Sequence, residues 1–382
     1  MDKNRQHHFK YFILPLLVCF TAVSYSQSLI IDHNCTNLNS MPLEWIDSAK
    51  AKLHIAYSHT SHGSQLIDGM NGLCTWKGDN YAFNNGGTNG ALDLEDGAMP
   101  GDLGNPDYTT WAGLTYDFLK NPSNSGVNVI IWSWCGEAST SDSNYITTYL
   151  NLMTALEDSF PSIKFVYMTG HLDGSGVDGD LNQRNEQIRR YCRNNNKILY
   201  DFADIESYDP DGNYYLDKMA NDNCDYDSDN NQTRDKNWAE DWQNSHILNV
   251  DYYMCNAAHS KALNANRKAY AAWWLWASLA GWIGTTNVKE NKLLFNSFEL
   301  YQNYPNPFNP STNFEFRIGD FGLASLKIYD VIGNEVAVLV NEEKEPGEYK
   351  IQFNGKSLSC GVYFYRLTAG KFSQTKKMVL VK

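Results

Sequence analysis

The sequence predicts two folds in series: an α/β domain whose central parallel sheet carries helices on both faces, three layers in all, followed by a small all-β sandwich. Three observations predict this. Upstream of residue 286, short apolar runs of strand length alternate with longer segments of helical period. The composition shifts near residue 298, and beyond it each segment alternates with period 2. Strands separated by helices pair in parallel, because each crossover helix returns the chain to the same end of the sheet.

Residues 1–26 read as a secretory signal. Lys3, Arg5 and Lys10 give a basic start, "YFILPLLVCFTAV" gives the apolar stretch, and the small residues Ser24 and Ser26 place cleavage before Gln27. The stretch is shorter than the roughly 20 residues that a spanning helix needs.

Residues 27–286 form the α/β domain, about 260 residues, enough to bury a core of its own. Its strands are "KLHIAYS" (Lys52 to Ser58), "VNVIIWSW" (Val127 to Trp134), "IKFVYMTG" (Ile163 to Gly170) and "KILYDFADI" (Lys197 to Ile205). Helices are predicted over Tyr145 to Phe160 and Leu181 to Asn196. The apolar run Ala269 to Gly284, about sixteen residues, is too short to span a bilayer and reads as a core helix. No transmembrane segment is therefore expected in the mature protein.

Residues 287–297 are a linker, and residues 298–382 are the β-sandwich. Pro305, Pro307 and Pro310 among asparagines form a turn, and "LKIYDVIG", "GEYKIQFN", "GVYFYRLTAG" and "KKMVLVK" supply its strands.

A net charge of −13 excludes nucleic acid and anionic membranes as partners, since both require a basic face. Aromatic residues make up 14% of the chain, which suits a protein that stacks on sugars. Seven cysteines follow the signal: Cys35, Cys74, Cys135, Cys192, Cys224, Cys255 and Cys360. In an oxidising compartment some of them are expected to pair. The absence of CxxC spacing argues against a zinc or redox motif.

Ligands of open parallel sheets bind beyond the carboxyl ends of the strands, so the residues following each strand are the candidates for chemistry. "SHTSHGSQLIDGM" (Ser58 to Met70) follows the first predicted strand and carries Ser61 and His62 into a helix. "SWCGEAST" follows the second, with Trp134, Gly136 and Glu137. The third ends in "TGHLDGSG", with His171 and Asp173, and His259 stands just before the last long helix. A strand-to-helix turn presents a serine side chain together with backbone N–H groups, which suits a nucleophile beside an oxyanion hole. A serine there also serves as a helix cap.

Two resemblances bear on these residues. The opening "YPNPFNP", the strand "IYDVIGNEV" and the ending "GVYFYRLTAGKFSQTKKMVLVK" closely resemble the C-terminal sorting domain of type IX secretion cargo. That resemblance implies a Gram-negative bacterium of the Bacteroidetes kind, engagement of the type IX secretion machinery, and a secreted or cell-surface destination. The upstream domain resembles the SGNH (GDSL-like) hydrolases, with their flavodoxin-like three-layer sandwich. In that family a serine follows the first strand and a histidine precedes the last helix. The match is incomplete: His59-Thr60-Ser61-His62 stands for Gly-Asp-Ser-Leu, and Ser133-Trp134-Cys135-Gly136 for Gly-x-Asn-Asp. Asn256 stands where the acid should precede the histidine.

The resemblance implies ester hydrolysis of an acylated polysaccharide, with Ser61 as nucleophile, His259 as base, and N–H groups of Ser61 and Gly136 as the oxyanion hole. His62 or His171 adds a donor, Glu137 or Asp173 supplies the absent acid, and no cofactor is required. Two other readings are open. His59, His62 and His171 with Glu137 and Asp173 suit a polysaccharide lyase, a glycosidase or a metal site. The altered blocks also fit a protein that binds glycan without turning it over.

Asp225, Asp227 and Asp229 have the alternate spacing of the first half of a calcium loop, which predicts a structural calcium, although the glycine and distant glutamate of a full EF-hand are missing. Trp238 and Trp242 lie four apart and share a helical face, where they either stack on a sugar or anchor the loop that carries them; with Trp134 they are the candidate substrate-binding residues.

Overall fold

A computed structural model describes residues 28–283, 298–318, 322–344, 347–370 and 372–381. The predicted signal at 1–26 and linker at 287–297 lie outside these residues. The chain divides into two compact units, Met1–Gly284 and Thr285–Lys382.

The first unit opens with β1 (Leu29–Ile31), α1 (Leu43–Lys52), β2 (His54–Ser58) and α2 (Ser64–Lys77). Next come β3 (Phe83–Asn84), β4 (Leu92–Asp96), α3 (Thr110–Lys120), β5 (Val129–Trp132), α4 (Glu137–Thr140) and α5 (Ser143–Ser159). Then follow β6 (Lys164–Met168), α6 (Asp180–Asn194), β7 (Ile198–Tyr200) and α7 (Phe202–Glu206). The unit closes with a small pair, β8 (Asp225–Tyr226) and β9 (Lys236–Asn237), then α8 (Trp238–Asn244) and α9 (Ala262–Leu279).

Seven strands form one parallel sheet in the order β1-β7-β6-β5-β2-β4-β3. The alternation of side chains along each strand builds the three layers. Ile55, Tyr57, Val129, Ile131, Val166, Met168 and Tyr200 point to one face, where α1, α2 and α9 cover them. Ala56, Ile130, Trp132, Phe165, Tyr167 and Leu199 point to the other, under α3, α5 and α6. Within the sheet, β4-β2-β5-β6-β7 has the doubly wound order 2-1-3-4-5, and its direction reverses between β2 and β5. A crevice at the carboxyl ends of those two strands is where such sheets take ligands.

Helix and strand limits follow local chemistry. The Asp142 carboxylate accepts the Asn144 and Tyr145 N–H groups and starts α5. The expected strand Lys197 to Ile205 stops at Tyr200, because Asp201 caps α7 and also takes the Arg189 guanidinium at 2.6 and 2.8 Å. Gly69 lets α2 approach α9: a Cβ there would lie 2.1 Å from the Ala265 carbonyl oxygen. The core-helix reading of the apolar run holds, since α9 is buried along nearly its whole length. Among the described residues no helix is long and apolar enough to cross a membrane.

All seven cysteines are free thiols, so the expected pairing is not found. Cys192 and Cys224 are buried among apolar side chains and act as small core residues.

The second unit is an antiparallel sandwich. β10 (Glu299–Leu300), β11 (Ser311–Ile318) and β14 (Gly347–Asn354) form one sheet. β12 (Gly322–Tyr329), β13 (Glu335–Lys344), β15 (Gly361–Ala369) and β16 (Phe372–Leu380) form the other. Their inner faces meet in a core that includes Phe314, Phe316, Leu326, Ile328 and Tyr365.

Candidate active site

Beyond β2 the chain turns sharply inward. Ser58 ends the strand, and its hydroxyl accepts the Met99 N–H at 2.9 Å. Gly63 is pressed against the loop after β5, where a Cβ would lie 2.2 Å from Ser133 Oγ. That close approach drives His62 inward, to 7% exposure, and leaves Ser61 facing solvent. Among the described residues nothing hydrogen-bonds the Ser61 hydroxyl.

His62 is the centre of a stack of imidazoles. His171 lies parallel to it, with centroids 3.7 Å apart and planes 2° apart, and His259 stacks at 4.5 Å and 21°. His62 Nε2 lies 3.0 Å from Asp222 Oδ2 and Nδ1 lies 3.3 Å from Cys135 Sγ. A carboxylate only accepts, so Nε2 carries the hydrogen and Nδ1 faces the thiol with its lone pair. Burial holds the His62 pKa below its ordinary value against the pull of Asp222, and His62 is neutral at pH 7. Burial pushes Asp222 the other way, but the hydrogen bonds from His62 and the Asn223 N–H outweigh it and bring the carboxyl below its usual range.

The loop after β6 supplies the rest. His171 Nδ1 donates to the Leu172 carbonyl at 2.8 Å, which leaves Nε2 as a buried lone pair without a partner. A backbone bridge between Asp173 and Asn221 brings the neighbouring Asp222 alongside the histidines. Arg234 fastens both segments by donating to the Gly174 and Met219 carbonyls. His259 is exposed and holds φ at 60°, a left-handed conformation that a non-glycine residue adopts under constraint.

Beneath the stack lies a buried charged layer. Glu206 accepts the Leu172 N–H at 2.7 Å and pairs with Lys268, which also reaches Gln65. Gln65 donates to the Ala258 carbonyl, and Asn264 to Ser260 Oγ at 2.8 Å. One layer thus anchors the segments on both sides of His62.

The structure gathers His62, His171 and His259, with Ser61 adjacent to His62 and Gly136 adjacent to Cys135. It does not bring Glu137 or Asp173 onto a histidine. Asp173 Oδ1 is held by the N–H and hydroxyl of Ser175, within its own turn. Glu137 starts α4 beside Asp102 and has one oxygen buried without a partner. The carboxylate at the histidines is Asp222, one acid among many in the segment 206–232, with no sequence signal to mark it. Cys135 was equally unmarked.

Two of the candidate substrate-binding residues are core. Trp134 is 3% exposed and donates to the Met168 carbonyl, and Trp238 is fully buried against Tyr215. Trp242 is half-buried and lines a cavity of about 520 Å³. Asp225, Asp227 and Asp229 do not converge. Asp225 binds the Asn223 and Asn237 amides, while Asp227 and Asp229 accept backbone N–H groups of the following turn. Their spacing builds a turn, and no calcium-like cluster forms from them.

Among the described residues two groups of three ligand-type side chains bring their donor atoms within 4.8 Å of one another: His62, Asp222 and His259, and Asp32, His33 and Asp204.

Residues 302–382 match the family described as the secretion system C-terminal sorting domain. The tail is therefore a type IX secretion sorting domain, and it addresses the chain to the cell surface or the extracellular space. No curated protein sequence matches the chain. Among solved structures, latent PorU from Porphyromonas gingivalis is 22% identical over 22% of this chain and 9% of its own, with a TM-score of 0.18. PorZ from the same organism is 23% identical over 26% of this chain and 13% of its own, with a TM-score of 0.17. An endo-β-1,4-mannanase from Thermotoga petrophila is 10% identical over 72% of this chain and 49% of its own, at 0.21. The chain thus spans less than half the length of each, and scores this low carry no argument about activity.

Proposed function

We propose that the α/β domain is a secreted ester hydrolase of SGNH-like design that removes acyl groups from polysaccharide. The observation that carries this reading is Asp222. It places a carboxylate within 4.8 Å of both His62 and His259 at the switch point of the sheet, where the sequence had left the histidine without an acid. Ser61 Oγ attacks the ester carbonyl while His259 takes its proton. The oxyanion is held by the N–H groups of Ser61 and Gly136, and the alcohol leaves with the proton from His259. Water then enters by the same route and releases the acid. Asp222 favours the transient imidazolium across the stack.

A second reading rests on the same cluster. Two histidines and one carboxylate with open positions are a donor set for a divalent metal that activates water. Purified protein assayed on acetylated polysaccharide and p-nitrophenyl acetate separates the two. The serine mechanism expects Ser61→Ala to lower kcat by about 10³ or more, with no effect of a chelator. Equal rates for wild type and variant sink it, and loss of activity on chelation supports the metal.

A further inference from the structure

The cavity that Trp242 lines contains an unpaired buried cation. Arg267 projects from α9 on the face that also carries Leu263 and Tyr270, and the three line the cavity together. Arg267 is 4% exposed, yet its guanidinium makes no hydrogen bond or ion pair among the described residues, and its Nε is buried without a partner. Burying a cation in this way is strongly unfavourable unless something compensates it.

The acids whose charges act on Arg267 are already committed. Asp204 accepts the His33 N–H and ring nitrogen at 2.8 and 2.6 Å. Asp209 takes the N–H groups of Asp211 and Asn213, the Asn213 amide and the Tyr215 hydroxyl. Both act on Arg267 from beyond hydrogen-bond range. Asp251, the carboxylate in the cavity lining, is engaged by the Ile247 N–H at 2.8 Å. Lys77, His33 and His246 add basic side chains to the same lining.

The aromatic lining fits a sugar. Trp76, Trp242 and Tyr270 are half-buried and line the cavity. Lys77 lies over one face of the Trp76 ring at 3.6 Å and His246 stacks on one face of the Trp242 ring at 3.5 Å, so the opposite faces are the ones offered to a ligand. Their indole N–H groups are fixed, Trp76 to the Asn249 carbonyl at 2.9 Å and Trp242 to Asp211 at 3.2 Å, which holds the rings in place before any ligand arrives. Ser61, His62, His171 and His259 do not line this cavity, so it is separate from the site at the sheet.

We propose that this cavity binds an acidic saccharide, with the carboxylate or sulfate ester of the sugar on Arg267 and the sugar ring against Trp76, Trp242 and Tyr270. A guanidinium offers five donors in a planar fork that suits either oxyanion. The cavity is large enough for one or two sugar residues, by the usual size of ligand pockets, roughly 300–1,000 Å³.

The test is a tryptophan-fluorescence and calorimetric titration of the full chain with oligogalacturonate, a sulfated galacto-oligosaccharide, a neutral cello-oligosaccharide and inorganic sulfate. One or both acidic oligosaccharides should bind at least tenfold more tightly than the neutral one and than sulfate, and added salt should weaken them. Which acid binds distinguishes carboxylate from sulfate. Arg267→Met should lose at least tenfold in affinity, and Arg267→Gln serves if that variant does not fold. Equal binding of neutral and acidic sugars, equal binding of inorganic sulfate, unchanged affinity in a folded Arg267 variant, or no binding of either acidic sugar overturns the proposal. Hydrolase activity is not read, so failure of the esterase reading leaves this result standing.

Discussion

Two consecutive residues of α9 bury a cation in opposite ways. Lys268 is fully buried, yet it is met by Glu206 and Gln65 and lies 3.7 Å from the centre of the Phe202 ring. Arg267 is almost as buried and lines a cavity, with no hydrogen bond or ion pair among the described residues and only the more distant charges of Asp204 and Asp209 acting on it. The difference separates scaffold from receptor. A compensated charge fixes the segments around it, here the loops that carry His171 and His259. An uncompensated one stores an interaction for a molecule that is not part of the chain.

Breaking the compensated side should give the largest effect. Glu206→Gln keeps the shape and the acceptor for Leu172 N–H but removes the charge opposite Lys268. Burial already pulls the Lys268 pKa below its usual value, with Glu206 opposing. Loss of one partner of a buried pair costs about 3–5 kcal/mol. The melting temperature should fall by on the order of 10 °C. A change within 2 °C, on the order of measurement scatter, would mean that the pair does not anchor the site.

On the uncompensated side the sign reverses. Arg267→Met removes a cation with no partner and retains most of the apolar stem, so the variant should gain about 1–3 kcal/mol in the absence of ligand. Chemical denaturation would read this as a higher midpoint at unchanged slope. A less stable Arg267→Met would place the guanidinium among the scaffold groups with Lys268.

How far the sequence anticipates the structure divides along the same line. The tail is legible almost in full, because "YPNPFNP" and strict alternation are local signals and its strands are long. The parallel core is legible at β2, β5, β6 and β7, where three or four apolar residues run together, but not at β1, β3 and β4. β1 and β3 are three and two residues long, and β4 alternates its leucines with Asp93 and Glu95. Ser61, His62, His171 and His259 are legible from their place after strands and before α9. Asp222 is not, since the Asp173–Asn221 bridge that positions it is a tertiary contact between segments about fifty residues apart. Trp134 and Trp238 mislead for a related reason: an aromatic residue in sequence carries no sign of whether its ring meets sugar or core. Nor does the sequence distinguish Arg267 from Lys268, because the partner of each comes from a distant element.

Asp102 is an intermediate case and yields the smallest effect. It is 1% exposed; one oxygen accepts the Thr60 hydroxyl, while the other has no partner, and Glu137 stands nearby. Burial raises its pKa to about 6 from an ordinary 3.8, the Thr60 bond opposes this, and the Glu137 charge adds to it. The folded state therefore binds the proton more tightly than the unfolded state. Stability associated with Asp102 is full below about pH 4 and is lost as pH rises through 6. Asp102→Asn removes the ionisation while its amide oxygen still accepts from Thr60. The variant should match the wild type at pH 4 and melt a few degrees higher at pH 8, with the difference opening between those limits. A difference that stays constant with pH would show that the second oxygen of Asp102 is compensated, and would move this carboxylate to the side of Lys268.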